Sequence, residues 1–101
     1  MELKGKAVVV TGGAMGIGLA TSKRLVREGC AVTIWDLNAS ALEGAKKELD
    51  ALGGRVFTHA CDVTDKARVY ELAKTAASEM GQAYFFLLMI GMLLQMIARR
   101  L

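Results

Sequence analysis

The sequence contains no proline and only two cysteines among its 101 residues. The lack of proline argues against a β-sandwich with proline-rich turns, whereas eleven glycines suit an α/β protein with tight glycine turns. Cys30 and Cys61 lie far apart, outside any CxxC spacing, and the single histidine, His59, has no second ligand at metal-binding spacing. We therefore predict no metal site. We expect both cysteines to be buried, reduced thiols in strands, which is typical of a reducing compartment and favours the cytoplasm.

Clustered basic charge is also lacking. The net charge is +3, and the lysines and arginines are spread among predicted helices without interleaved aromatic residues, which argues against a nucleic-acid partner. The N-terminal sequence MELKGK has no long apolar core, so no secretory signal is predicted there. The length suits one small domain.

Short apolar runs alternate with amphipathic helical stretches. Strands are predicted at 7–10, 31–35 and 55–60, and the first helix from Gly16 to about Glu28. Asn38 and Thr64 are predicted to cap the second and third helices. The apolar face of the second helix comprises Leu42, Ala45, Leu49 and Leu52; that of the third comprises Val69, Leu72, Ala73, Ala76 and Met80. This βαβαβα order predicts a parallel sheet with right-handed crossovers.

The character of the chain changes after Gln82. We divide it into residues 1–82, which carry the alternating strands and helices of one half-domain, and residues 83–101, an apolar C-terminal segment. Residues 83–87 fit a fourth buried strand. A membrane-inserted segment at 84–97, with Arg99 and Arg100 at the lipid surface, is an alternative, but the run is slightly short of the roughly 18–20 residues that cross a bilayer.

The most informative stretch is a glycine-rich loop, TGGAMGIG at 11–18, which follows a strand and opens a helix. Gly12 permits a tight turn, Gly16 lets the backbone approach a pyrophosphate, and Gly18 allows close packing of helix on strand. The helix N-terminus offers N–H groups and partial positive charge to phosphates. Taken alone, the pattern also fits an ordinary glycine-rich turn.

An acidic residue, Asp36, ends the second strand at about the spacing that a dinucleotide loop requires. A carboxylate there accepts hydrogen bonds from the adenosine ribose hydroxyls and repels a 2′-phosphate. The residue before Gly16 is Met15, so no basic side chain is present there for that phosphate. These residues predict NAD as the cofactor, in preference to NADP.

Two motifs together resemble the short-chain dehydrogenase/reductase family: the TGxxxGIG loop, and Asp62-Val63 after the third strand. The resemblance covers roughly residues 4–82. It implies a Rossmann-like three-layer parallel sheet, of which this chain would hold the first four strands, and an adenine-binding role for Asp62 and Val63. The predicted cofactor-binding residues are Gly12, Met15, Gly16, Ile17, Gly18, Asp36, Leu37, Asp62 and Val63.

The family pattern then fails. With Gly91 set on the last residue of the family's Asn-Asn-Ala-Gly, residues 88–90 are Leu, Met and Ile, which cannot make the same hydrogen bonds. The family's catalytic Ser and Tyr-x-x-x-Lys lie on later elements, so we expect a truncated chain without catalytic residues. Tyr70 and Lys74 have that spacing, but they lie on the helix between the third and fourth strands, and we interpret them as a solvated face.

The resemblance implies an NAD(P)-dependent oxidoreductase that transfers hydride between alcohol and ketone. For this chain we expect dinucleotide binding without turnover. The alternative is a non-catalytic interaction protein or a membrane-attached protein that acts through its apolar tail. A fourth strand at the sheet edge would lack protective charges, so a homo-oligomer or a complex with a full-length family subunit is the expected assembly.

Overall fold

The computed structural model describes residues 4–81, which form a three-layer α/β fold. Strands β1 (Ala7–Thr11), β2 (Ala31–Asp36) and β3 (Val56–Ala60) alternate with helices α1 (Gly16–Arg27), α2 (Ala39–Asp50) and α3 (Lys66–Met80). Strand β2 lies between β1 and β3, and both pairs are parallel. The predicted Rossmann-like sheet is confirmed for these three strands, whereas the predicted fourth strand at 83–87 lies outside the described residues.

Both faces of the sheet are covered, because alternate residues of a strand point in opposite directions. One buried cluster joins the sheet to α1 and α2 and includes Val8, Val10, Val26, Val32, Ile34, Leu42, Ala45 and Leu49. The other joins the opposite face to α3 and includes Ala7, Val9, Trp35, Leu72, Ala76 and Met80. Burial on both faces explains why β1 and β2 are mostly apolar runs without polar alternation.

The N-caps of α2 and α3 are side chains that accept a hydrogen bond from the first turn. Asn38 caps α2 as predicted, with Oδ1 accepting from the Ala41 N–H at 3.0 Å. The prediction of Thr64 for α3 was wrong by one residue, because Asp65 is the cap and accepts from the Arg68 N–H at 3.1 Å. Thr64 instead donates its hydroxyl to Asp62 in the preceding turn.

Two further predictions need correction. Leu52 is 39% exposed, because α2 ends at Asp50 and the chain leaves the helical periodicity before Leu52. Cys30 and Cys61 are buried thiols as predicted, but they flank the strands, with Cys30 directly before β2 and Cys61 directly after β3. Burial raises the pKa of both thiols.

Basic side chains from the helices contact both ends of the outer strand β3. The Lys46 ammonium donates to the carbonyl oxygen of Val56 at 3.1 Å, and the Arg68 guanidinium donates to that of Ala60 at 3.5 Å. His59 Nε2 lies 3.0 Å from Glu79 Oε1 and links β3 to α3. These polar contacts therefore link β3 to α2 and α3.

The segment considered for membrane insertion, 84–97, lies outside the described residues. Between residues 4 and 81, no helix combines the length and apolar character needed to cross a bilayer.

Candidate functional site

The loop between β1 and α1 leaves the sheet through a glycine turn. Gly12 has φ +68°, and its N–H donates to the carbonyl oxygen of Trp35 at 2.8 Å, so the turn begins while β1 is still paired with β2. Gly16 has φ +56°, a conformation that side chains disfavour. A Cβ built on Gly16 would meet no atom of the described residues within 4 Å. The backbone at Gly16 is therefore open to close approach from outside.

Two other loop glycines are required by packing. A Cβ on Gly18 would overlap the carbonyl oxygen of Gly12, so α1 can pack this closely on the turn only with glycine there. A Cβ on Gly13 would lie 2.9 Å from Ile34 Cγ2 and 3.0 Å from Val10 Cγ1. Gly13 was missed as a site residue, because the family pattern treats its position as variable; the adjacent glycine pair was the available signal.

Among the described residues, the first turn of α1 lacks the cap that the side chain of an N-cap residue can provide. Met15 stands at the N-cap with φ −146° and ψ 161°, and its side chain makes no capping hydrogen bond within residues 4–81. The first N–H groups of a helix have no intrahelical partner and carry partial positive charge. We call residues 15–18 the open end of α1. Met15 and Ile17, both 57% exposed, flank it with apolar surface.

Asp36 connects the end of β2 to the loop. Its Oδ2 accepts from the Ala14 N–H at 3.3 Å, and its Oδ1 accepts from the Asn38 N–H at 3.0 Å. The side chain that follows, Leu37, is 72% exposed. Sequence reasoning placed Asp36 beside the loop but missed Ala14, which has no chemical signal of its own in the motif.

Asp62 and Val63 follow β3 and lie beside Asp36. The Cys61 N–H donates to the carbonyl oxygen of Asp36 at 3.0 Å, which fixes this segment next to the end of β2. The Thr64 hydroxyl (2.7 Å) and the Thr64 N–H (2.9 Å) both donate to Asp62 Oδ1. These bonds, that from the Thr64 hydroxyl first, hold the pKa of the exposed Asp62 carboxyl below its usual range.

The structure thus brings three predicted segments together at the carboxyl edge of the sheet: the loop at 12–18, residues 36–37, and residues 62–63. Parallel strands in an open α/β sheet bind ligands at this edge. Tyr70 and Lys74 are not part of the arrangement, because both are exposed on α3. The prediction that they form a solvated face is confirmed, and the family-pattern positions 88–91 lie outside the described residues.

Comparisons with known proteins agree with this architecture. The sequence profile described as short chain dehydrogenase matches residues 6–93. The chain is 42% identical over 80 residues to 2-dehydro-3-deoxy-L-rhamnonate dehydrogenase (NAD(+)) of Sphingomonas sp., covering 77% of this chain and 30% of that protein. It is 44% identical over 81 residues to 1-deoxy-11-beta-hydroxypentalenate dehydrogenase of Streptomyces avermitilis, covering 80% of this chain and 30% of that protein.

A solved structure is similar in fold as well as sequence. A short chain dehydrogenase/reductase from Burkholderia phymatum, in complex with NAD, superposes with a TM-score of 0.81 at 30% identity. The match covers 85% of this chain and 31% of that one. The chain therefore spans about a third of the length of this neighbour and of the two curated relatives.

Proposed function

Because this chain belongs to the short-chain dehydrogenase family, we propose that residues 1–82 form a half-domain that binds NAD in preference to NADP. The observation that carries the proposal is the open end of α1 beside the Asp36 carboxylate, at one edge of a parallel sheet. The donors there suit phosphate, and the carboxylate suits ribose hydroxyls. Neither the fold nor membership of the family would by itself select NAD over NADP.

The loop would hold the pyrophosphate. The N–H groups of Gly16, Ile17 and Gly18 lie in the first turn of α1, where the helix dipole favours an anion. The unobstructed backbone at Gly16 gives a phosphate oxygen room to approach. In this role Gly12 shapes the turn, and Met15 covers one flank of the ligand with its apolar side chain.

Asp36 would accept hydrogen bonds from the adenosine ribose hydroxyls. An ionised carboxylate has about four lone-pair directions, and two are used by the Ala14 and Asn38 N–H groups. A 2′-phosphate at the same place would meet the negative charge of Asp36. The side chains flanking this position, Met15 and Leu37, carry no compensating positive charge, which supports the preference for NAD.

The adenine would lie against Asp62 and Val63, as the family resemblance implies. Asp62 is ionised and exposed, so its carboxylate can accept a hydrogen bond from an exocyclic amino group. The exposed side chain of Leu37 adds apolar surface that a bound base would cover. Exposed apolar surface beside convergent polar groups is typical of a small-molecule site.

The reaction class follows from the family. A bound nicotinamide ring supplies or accepts the hydride that interconverts an alcohol and a ketone. The described residues of this chain would bind and orient the dinucleotide, and we assign none of them a catalytic role. We place the protein in the cytoplasm, because its two cysteines are buried thiols. The alternatives of an interacting or membrane-attached tail, and of pairing with a full-length subunit, concern residues 83–101.

The first test is a titration of the full chain with NADH and with NADPH. Calorimetry, together with fluorescence of the single tryptophan Trp35 directly before Asp36, reports binding. We expect saturable binding with NADH the tighter ligand. Absence of saturation with either ligand would refute the proposal, and equal affinities would refute the preference.

A pair of arginine variants tests the basis of the preference. Leu37→Arg places a positive charge beside Asp36 and should tighten NADPH binding by about tenfold, or about 1.4 kcal/mol. Leu52→Arg adds the same charge at an exposed leucine after the end of α2 and should leave the ratio of the two affinities unchanged. A similar change in both variants would indicate a general charge effect.

A further inference from the structure

Asp36 contacts two backbone segments at once, and one of them is the phosphate loop itself. Its Oδ2 accepts from the Ala14 N–H, while its Oδ1 accepts from the Asn38 N–H at the start of α2. Ala14 lies 22 residues away in sequence, in the middle of the loop. We propose that Asp36 is a positioning residue that shapes the phosphate loop before any ligand arrives, so that diphosphate affinity depends on Asp36 even without a ribose contact. This inference rests on the proposed dinucleotide site.

Asp36 is itself held rigidly. Its carbonyl oxygen accepts from the Cys61 N–H at 3.0 Å, and the carbonyl of the preceding Trp35 accepts from the Gly12 N–H at 2.8 Å. The end of β2 is therefore bonded on both sides, to the segments that follow β3 and β1. A carboxylate at the end of this hydrogen-bonded strand is held in position, so its contact can restrain the more irregular loop.

The loop residue that Asp36 contacts is also the one anchored in the core. Ala14 is 4% exposed, and its methyl group packs in the cluster shared by the sheet, α1 and α2. The backbone N–H of so buried a residue has little access to water, and Asp36 Oδ2 supplies an acceptor in a part-buried hydrogen bond of 3.3 Å. The next residue, Met15, is the N-cap of α1 and contributes no side-chain cap within the described part of the chain. The Asp36–Ala14 contact therefore lies directly before the open end of α1, where it can influence the orientation of the first helical turn.

The ribose role and the loop role predict opposite results for a ligand without ribose hydroxyls. Removing a negative charge near a diphosphate should strengthen its binding by Coulomb's law. If Asp36 only recognises ribose, 2′,3′-dideoxy-ADP should bind Asp36→Ala as well as wild type, or better. If Asp36 also shapes the loop, the same ligand should bind more weakly, because the phosphate donors lose their preorganised geometry.

The experiment measures ADP and 2′,3′-dideoxy-ADP binding to the full chain by calorimetry. For Asp36→Ala we expect dideoxy-ADP affinity to fall about tenfold through lost preorganisation, and ADP affinity to fall further. For Asp36→Asn, which keeps one acceptor oxygen, we expect affinities between those of wild type and Asp36→Ala. Asp50→Ala removes an equal charge on α2 and should not weaken either ligand. Unchanged or tighter dideoxy-ADP binding to Asp36→Ala overturns the inference while leaving the proposed function intact.

Hydrogen exchange of the Ala14 amide gives a readout that needs no ligand. In wild type the Ala14 N–H should exchange more slowly than the N–H groups at the open end of α1, and Asp36→Asn should accelerate it. Equal exchange at both the Ala14 and the Asn38 amides in wild type and Asp36→Asn overturns the loop-shaping role, even if the alanine variant does not fold, because the one amide oxygen of asparagine cannot serve both N–H groups. Failure of wild type to bind either nucleotide would instead refute the proposed function, and the Ala14 exchange then decides the loop contact by itself.

Discussion

The N-termini of the three helices lie at the same edge of the sheet, yet one differs from the other two. Asn38 and Asp65 each close their own helix with a side-chain oxygen 3.0–3.1 Å from a first-turn N–H. Helix α1 begins instead with Met15, whose thioether is only a weak acceptor and makes no capping bond within the described residues, and with glycines. A cap stabilises a helix by about 0.5–2 kcal/mol. Helix α1 therefore forgoes this stabilisation at the place where backbone donors are proposed to bind phosphate.

The surroundings of these helix ends differ in the same sense. The open end of α1 is flanked by exposed apolar side chains, Met15 and Ile17, whereas Asn38 and Asp65 are polar residues in exposed turns. A polar turn needs no ligand to complete it. Exposed apolar surface beside backbone donors is typical of a small-molecule site.

The largest effect is expected from Gly18→Ala, which should disrupt the backbone geometry at the open end of α1. The added methyl overlaps the Gly12 carbonyl, so helix and turn must separate, at a cost of about 3 kcal/mol. Urea unfolding should show this loss, and NADH binding should disappear. The control is Gly44→Ala in α2, where a methyl has open space among the described residues and should add about 0.5–1 kcal/mol of stability. Normal NADH binding by Gly18→Ala would contradict the required close approach.

Gly16→Ala separates backbone strain from ligand access. At φ +56° the alanine costs about 1–2 kcal/mol. Its methyl also fills the space proposed for a phosphate, so NADH affinity should fall at least about tenfold, or about 1.4 kcal/mol. Gly53→Ala has the same kind of strain at φ +83° and similar room in the described structure, but it is remote from the loop. Equal NADH affinities in the two variants would show that access at Gly16 does not matter.

Capping α1 artificially should make it resemble α2 and α3. Met15→Asp should raise the free energy of unfolding by about 1 kcal/mol as a new N-cap and weaken NADH binding by about fivefold, because a carboxylate competes with phosphate for the same donors. Met15→Ser supplies a neutral cap and should weaken NADH less. Asp65→Ala should lose about 1 kcal/mol of stability with unchanged NADH affinity. Thermal unfolding measures the stability, and calorimetry measures the NADH affinity. Tighter NADH binding by Met15→Asp would contradict the proposal that the first-turn N–H groups of α1 bind phosphate.

The smallest effect concerns the turn before α3. Thr64→Val removes the hydroxyl that lowers the pKa of Asp62, so that pKa should rise toward its usual value in an NMR pH titration. Because the folded pKa is depressed, the hydroxyl stabilises the fold above the unfolded pKa of about 3.9. That stabilisation is lost as the pH falls through the folded pKa. The stability difference between wild type and variant should therefore vanish in strong acid; a difference that persists there would implicate packing instead.

Much of the fold was predictable from local pattern. Apolar runs and helical spacing located all six described elements, and the residue types predicted the Asn38 cap. The error at α3 arose because Thr64 and Asp65 are adjacent and both able to cap. Which of them does so depends on the Thr64 contact with Asp62, a tertiary detail of the turn. The prediction that Leu52 belongs to the apolar face of α2 was wrong, because helical spacing alone does not locate the end of a helix.

Sequence motifs indicated the main residues of the candidate site, but they did not indicate the residues that support the loop by packing and hydrogen bonding. The roles proposed for Gly12, Gly16 and Asp36 require these residue types, so the sequence motifs indicate their positions. Gly13 and Ala14 matter through Ile34, Val10 and Asp36, which approach only after the sheet has formed. No local pattern reports a contact between residues 14 and 36.

The polar contacts at β3 have a consequence for assembly. An outer strand with exposed carbonyl and amide groups invites pairing with a strand of another molecule. Here the carbonyls at both ends of β3 are already engaged by Lys46 and Arg68. A second chain that extended the sheet beyond β3 would have to displace these two cations, so the contacts disfavour strand addition on this side.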